Sequence, residues 1–228
     1  MDISSSITRQ LADAARSMQG HPSTHETLEQ VVLVATDIIQ GCDLVGISLV
    51  HPGGIDTPVG SDEALNRIDE LQFKLKEGPC FDALRTHETV GSRNLATDER
   101  WPTWGPLVAE ETGVRSIVSY RLYTTRDTLG ALNLYSRRPD AFDTDDIYNG
   151  LALAAHVAVA LAASQQVENL ELALGTRTVI GQAEGILMER FEIPAAQAFA
   201  VLRRVSQHSN VKLNRVAEEL VRTRETPT

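Results

Sequence analysis

Residues 179–221 read VIGQAEGILMERFEIPAAQAFAVLRRVSQHSNVKLNRVAEELV, and this stretch decides the architecture of the chain's C-terminal end. Its apolar residues recur at spacings of three and four, the repeat that gathers side chains on one face of a helix. Ile180, Ala183, Leu187 and Phe191 mark the first such face. Pro194 then stops that helix, because it lacks an N–H donor, and suits the first turn of the next. In the second helix Ala198, Phe199, Leu202 and Val205 point inward. Ser209-Asn210 closes it, since Asn tolerates the left-handed backbone of a helix C-terminus. Leu213, Val216, Ala217, Leu220 and Val221 form the inward side of a third helix. The stretch predicts a small all-α domain.

The polar residues between these stripes suit a phosphate-bearing partner. Phosphate binding needs cations held on a rigid face, and base reading needs planar or amide groups beside them. Arg203 and Arg204 flank the stripe of the second helix, while Lys212 and Arg215 share one flank of the third with Arg222 near the same line. Gln207, Ser209 and Asn210 lie between the two clusters, placed to read unpaired loop bases. Gly181 and Gly185 stand one turn apart on the first helix. Each costs about 1 kcal/mol relative to Ala in a helix interior, a cost that close approach of an RNA backbone or of another helix would offset. Arg190 adds a cation at that helix's end, where it also complements the helix dipole.

The runs IGQAEGILMERF, AFAVLRRVSQHSN and KLNRVAEELV strongly resemble the ANTAR domain, an RNA-binding output module of bacterial signalling proteins, over the whole module. The resemblance implies recognition of tandem RNA stem-loops, which suppresses transcription termination or controls translation. It makes Gln182, Ala183, Gly185, Arg190, Arg203, Arg204, Gln207, Asn210, Lys212 and Arg215 the candidate RNA contacts. One position departs from the family: Glu184 stands where Lys is usual, an anion near a phosphate-facing surface.

Upstream, residues 147–182 (IYNGLALAAHVAVALAASQQVENLELALGTRTVIGQ) contain no proline. Ala160, Ala163, Val167, Leu170 and Leu174 alternate spacings of three and four, the pattern of a coiled-coil seam. This predicts one helix running into the output module and pairing with its copy in a homodimer. The other reading is a helix packed on its own domain.

The N-terminal part mixes helices and strands. Residues 4–19 form an amphipathic helix, with Ile7, Leu11, Ala14, Ala15 and Met18 on one side. A second helix follows Pro22-Ser23, capped by Ser23 or Thr24, with Leu28, Val31, Ala35 and Ile38 as its stripe. Residues 44–50 (LVGISLV) are a strand halted by His51-Pro52-Gly53-Gly54. A helix over 61–75, a short helix from Cys80, an extended segment over 89–95 and a helix from Thr97 come next. Strands over 116–123 and 129–135, joined by the polar turn Thr125-Arg126-Asp127, read as an antiparallel pair. Such an order is α+β.

The segments EGPC, DERWP, GVRSIVSYRL, LGALNLYS and AFDTDD resemble a GAF domain over residues 8–160. GAF folds are sensory modules that hold small molecules or serve as dimerisation and relay elements, and the fold does not name the ligand. The candidates for a small-molecule effector site are Cys80, Phe81, Trp101, Trp104, Tyr120 and Tyr135, each of which also reads as core. Cys80 follows Gly-Pro at a helix start, where the dipole lowers a thiol pKa; its other reading is burial as a small apolar residue. The organisation is a GAF-like sensor over 8–160, a linker helix over 161–176 and an ANTAR module over 177–224.

Composition bounds the rest. The 228 residues, 42% apolar and 23% charged, suit one ordinary domain and a small module. No apolar run approaches the roughly 18 residues needed to span a bilayer. The opening MDISSSITRQ lacks the basic and apolar parts of a signal peptide, and Cys42 and Cys80 are too few for a disulfide framework. A cytoplasmic protein without a membrane partner is expected. Net charge is −10, yet residues 177–224 carry eight Arg and Lys against five Glu, a net of +3 that leaves −13 elsewhere. A basic end on an acidic body lets the two parts meet different partners.

The chain has no P-loop, GxSxG, HExxH or glycine-rich dinucleotide turn, and its histidines form no ligand-spaced cluster. A non-enzymatic regulator without a metal site is expected, its cofactor, if any, unnamed. Two other classes stand beside RNA binding. Three short helices also form DNA-binding regulators, although the link between the second and third lacks the tight glycine turn of a helix-turn-helix. A protein-interaction adaptor would dock a partner and never touch nucleic acid.

Overall fold

Apolar residues alternating with small or polar ones over short runs make strands, and five of these pair into one sheet. The computed structural model describes residues 3–18, 23–51, 53–86, 89–125 and 127–225. Gln19, His21, Pro22, Pro52, His87 and Arg126, which figured in the sequence reading, lie outside the described residues. The strands are β1 (Leu44–His51), β2 (Gly54–Gly60), β3 (Val90–Ser92), β4 (Ser116–Tyr123) and β5 (Thr128–Ser136). Their order is β2-β1-β5-β4-β3, with every neighbouring pair antiparallel.

Each face of the sheet is covered. On one, Val45, Ile47, Val118, Tyr120, Leu122, Leu132 and Leu134 pack in a cluster with residues of α1 (Ile3–Met18), α2 (Thr24–Ile38) and the first part of α6 (Thr144–Phe191). On the other, Leu44, Ile117 and Tyr135 meet α3 (Ala64–Leu75), α4 (Pro79–Thr86) and α5 (Trp104–Thr112), with Trp101 and Trp104 fully buried among them. Successive side chains of a strand point to opposite faces, so Ile117 and Val118 serve different cores.

Local chemistry sets the helix ends. Ser23 accepts from Glu26 N at 3.2 Å and starts α2, the cap read from the sequence. Three elements differ from the sequence reading. Strand β2 was not anticipated, because GIDTPVG carries two glycines and a proline; Pro58 is tolerated because β2 is an edge strand. The helix expected from Ser61 begins at Ala64, whose N–H is held by Asp62 Oδ1 at 2.8 Å. Leu95–Thr97 is a single 3-10 turn, and the helix expected from Thr97 begins instead at Trp104. There Glu77 Oε2 accepts from Thr103 N and Trp104 N at 3.0 and 2.9 Å, a cap delivered from α3's end that no local sequence pattern announces. Gly78, next to it, has φ +130°, and a Cβ there would stand 2.2 Å from Gln72 Oε1.

Helix α6 runs from Thr144 to Phe191. By length and composition it is apolar enough to cross a membrane. Its Leu153, Ala154, Val157, Ala158, Ala160 and Leu161 are packed in the sheet's first core instead. Ala160 therefore belongs to that core and not to a seam. Val167, Leu170 and Leu174 are 47%, 57% and 64% exposed. One compact unit ends at Gln166 and a second begins at Val167.

In the second unit, α6 is followed by α7 (Ala195–Ser209) and α8 (Leu213–Thr223), joined by Pro194 at the N-cap of α7 and by Asn210 with φ 55° at its C-cap. The core is Ala183, Leu187, Ala198, Leu202, Val216, Ala217 and Leu220. Two phenylalanines read as inward are not. Phe191, the last residue of α6, is 49% exposed, and Phe199 is 38% exposed. Ala198 and Leu202, one turn apart, fix the inward line of α7, and residue 199 is turned about 100° from it.

Candidate nucleic-acid interface and sensor interior

In the N-terminal unit the six effector candidates are not brought together. Tyr120 lies on the α2/α6 side of the sheet and donates its hydroxyl to Ile147 O at 3.2 Å. Trp101, Trp104 and Tyr135 are buried on the opposite side. The indole of Trp101 donates to Asp82 Oδ2 at 2.9 Å and that of Trp104 to Ile68 O at 3.2 Å, so both are satisfied core residues. Phe81 meets Phe73 edge to face, with centroids 5.7 Å apart. Burial pushes the Cys80 thiol up to about 12, contrary to the lowering expected at a helix start. Desolvation of the thiolate outweighs a dipole at an eight-residue helix.

What the same face does hold is a row of polar side chains missed in the sequence. Ser119 Oγ donates to Asn133 Oδ1 at 2.6 Å, Asn133 Nδ2 donates to Ser48 Oγ at 3.0 Å, and Ser48 and Thr57 hydroxyls are 3.0 Å apart. The row crosses β4, β5, β1 and β2. Ser48, Ser119 and Asn133 are each at most 1% exposed. Asp69 and Gln72 of α3 and Cys80 of α4 are buried as well, and Cys80 N donates to Gln72 Oε1 at 3.2 Å. Burial pushes the Asp69 carboxyl up to about 6, against a hydrogen bond from the Thr57 hydroxyl that lowers it. The clue in sequence was a polar residue at an inward position of each of the apolar strands β1, β4 and β5: Ser48 in LVGISLV, Ser119 in SIVSYRL and Asn133 in GALNLYS.

A cavity of about 470 Å³ opens elsewhere, lined by Gly91, Val118, Phe142 and Ile147 among others, and none of the six candidates lines it. Among the described residues, no three His, Cys, Asp or Glu are grouped to hold a metal.

In the C-terminal unit the cations divide into engaged and free. Arg203, Arg204 and Lys212 are exposed and form no ion pair among the described residues. Arg215 Nη1 pairs with Glu218 at 2.8 Å and Arg222 with Glu219 at 2.5 Å. Arg190 donates to Arg224 O at 2.6 Å, tying the end of α6 to the end of α8. Arg190 is thereby a structural clasp, and Arg215 a half-neutralised charge. Ala183, taken as a contact residue, is 0% exposed at the centre of the module's core and presents nothing to a ligand. Gln182, Gly185, Gln207 and Asn210 are exposed, and a Cβ on Gly185 would meet nothing within 4 Å.

Two grooves flank α6 in this unit. The α8 side, about 710 Å³, sets Arg215 among Glu168, Glu171 and Glu218, an acidic lining that repels phosphate. The α7 side, about 660 Å³, is lined by Arg177, Gly181, Glu184 and Phe199 with Leu172 and Ile180. Arg177 and Phe199 were not among the sequence candidates: one was taken as the module's edge, the other as its core.

The family model of the GAF domain matches residues 21–162, and that of the ANTAR domain matches residues 168–221. No curated protein sequence matches the chain. The GAF domain of a phosphoenolpyruvate-protein phosphotransferase from Coxiella burnetii is similar, with TM-score 0.58 and 13% identity over 70% of this chain and 95% of that one. So is a free methionine-R-sulfoxide reductase from Neisseria meningitidis, with TM-score 0.53 and 17% identity over 73% of this chain and 94% of that one. At these identities the likeness is one of fold.

Proposed function

Because the chain belongs to the GAF-domain family and carries an ANTAR domain after its GAF domain, we propose that it is a cytoplasmic regulator that binds stem-loop RNA and so controls transcription termination or translation. The observation that carries this reading is the set Arg203, Arg204 and Lys212: exposed, without ion pairs among the described residues, and held on α7 and at the N-cap of α8, helices whose inward faces are fixed by the buried Ala198, Leu202, Val216 and Leu220. Free cations on rigid helices bind phosphate with little ordering cost. The acidic remainder of the chain keeps nucleic acid to this end. The GAF domain receives a small-molecule effector, and α6 pairs with its copy through Val167, Leu170 and Leu174, apolar side chains left in water.

The test is the affinity of the full chain for hairpin RNA over a range of salt, with duplex DNA as the competing substrate. Each phosphate contact contributes a slope of about −0.7. Arg203→Ala with Arg204→Ala should flatten the slope by about 1.4 and leave circular dichroism unchanged. An unaltered slope removes this face, and preference for duplex DNA overturns the RNA reading.

A further inference from the structure

The buried polar row of the GAF domain has a direction. An ionised carboxylate only accepts hydrogen bonds, and a hydroxyl has one hydrogen to donate. With Asp69 ionised, the Thr57 hydroxyl gives its hydrogen to that carboxylate and so accepts from Ser48 at 3.0 Å. Ser48 in turn accepts from Asn133 Nδ2 at 3.0 Å, and Asn133 Oδ1 accepts from Ser119 at 2.6 Å. Donors on β4, β5, β1 and β2 thus all point towards Asp69 of α3. A protonated Asp69 allows the opposite order with the same bonds. Its carboxyl O–H donates to Thr57, Thr57 to Ser48, and Ser48 to Asn133 Oδ1 once the amide turns over, whose Nδ2 then donates to Ser119. Only hydrogens and one planar group move. The charge on Asp69 is what separates the two arrangements.

That carboxyl is 8% exposed. The titratable groups facing it are Cys80 of α4 and Tyr135 of β5; burial pushes the thiol up to about 12 and the phenol well above its usual range, so both stay neutral. Charges on the surrounding elements are engaged elsewhere. Arg67 of α3 holds Glu70 and Glu111 of α5, Arg85 holds Asp82 of α4, and His51 lies beside Asp56 of β2. Arg121, on the same face of β4 as Ser119, donates to the Thr128 hydroxyl at 3.0 Å, and Lys74 of α3 is exposed. Among the described residues no cation pairs with Asp69.

We propose that this row is a proton switch in the sensor: Asp69 takes one proton from water, the donors reverse, Ser119 turns from donor to acceptor, and β4 passes the change to the start of α6. No other bond is made or broken, and the device does not rest on the RNA-binding reading. Thr57, half-buried on the edge strand β2, is where the row comes nearest to water. Ser119 and Tyr120 are neighbours on opposite faces of β4. The Tyr120 hydroxyl holds Ile147 O of the first turn of α6 at 3.2 Å, and a Cβ on Gly150 would clash with that hydroxyl. One strand therefore carries the row on one face and the start of the long helix on the other. Protonation of a buried group acts as a switch where it biases an element with two discrete arrangements, which the row supplies.

The experiment follows the full chain from about pH 4 to about pH 8, across the expected titration. Infrared difference spectra read the Asp69 carboxyl, and NMR reads the side-chain amide of Asn133, two hydroxyls away from it. Both should titrate with one midpoint near 6. The N–H of Tyr148, in the peptide whose carbonyl Tyr120 holds, should follow. Asp69→Asn should abolish all three changes. Thr57→Val should raise the carboxyl midpoint by about one pH unit, the scale of one lost hydrogen bond to a charged group, and leave the Asn133 amide still, because the row is cut. Thr57→Ser should restore both. The wild-type titration stands even if a variant misfolds. An Asn133 amide that stays fixed while Asp69 titrates, or that still titrates in Asp69→Asn, overturns the switch. So does the lack of any carboxyl with a midpoint near 6. A Tyr148 signal that stays fixed overturns the passage to α6.

Discussion

Asn133 and the pair Arg203-Arg204 are each set between apolar neighbours, in ALNLY and LRRVS, and the two units use such polar insertions in opposite ways. In the GAF domain the polar residue faces inward, and Ser119 and Ser48 satisfy it by hydrogen bonds at 2.6 and 3.0 Å. In the ANTAR domain the polar residue faces outward, with no ion pair among the described residues. A buried polar group without a partner costs more than its bond contributes, so the interior row must be complete. An exposed guanidinium stays hydrated and costs little to leave open. Satisfied interiors hold shape, and open surfaces bind. The cores differ too: two Trp and two Tyr are fully buried in the first unit, whereas Ala183, Ala198 and Ala217 supply much of the second.

The comparison is broken hardest by removing core volume. Trp104→Ala should cost about 3–5 kcal/mol, and Leu202→Ala about 2–5 kcal/mol. The first loss falls on a large core. The second removes one of only seven buried residues in the ANTAR domain's cluster and should unfold that small domain at ordinary temperature. Calorimetry should show the GAF transition lowered by Trp104→Ala and kept by Leu202→Ala. A single transition lowered equally by both would mean that the two cores are one cooperative unit.

The interior row is sharpened through Asp69. Its carboxyl is raised to about 6 in the fold from about 3.9 in an unfolded chain. Stability from the protonated form is thus fully present below about pH 4 and lost as pH rises to about 6. At pH 7.5 the ionised group costs roughly 3 kcal/mol. Asp69→Asn should recover most of that at pH 7.5 and nothing at pH 4, read as denaturation midpoints. Equal midpoints at pH 7.5 would show that the carboxylate finds a partner when charged.

Smaller effects test the surfaces. Leu170→Glu with Leu174→Glu should halve the particle mass in light scattering by placing charges on the proposed seam; an unchanged mass moves the interface elsewhere. Arg215→Ala should change the RNA salt slope by less than the about 0.7 of a full phosphate contact, because Glu218 already answers the charge at 2.8 Å. A full 0.7 would show that RNA displaces Glu218.

Periodicity and breakers determined much of this protein by themselves. The spacing around Ala183, Ala198 and Val216, with Pro194 and Asn210 as stops, is local, and the three helices follow it. Ser23 as a cap and the β4–β5 pair are local too. Tertiary structure decided what depends on partners remote in sequence. Glu77 caps α5 across 27 residues, and Asn133 reaches Ser48 across 85. Strand β2 exists because β1 offers it an edge, against the propensity of its own glycines and proline. Which cations are free was settled by whether a carboxylate or carbonyl lay within reach: Glu218 engages Arg215, Arg224 O engages Arg190, and nothing among the described residues engages Arg203 or Arg204. A side chain's direction is written in the helix repeat, but its neighbours across the fold are not, and charge is answered by neighbours.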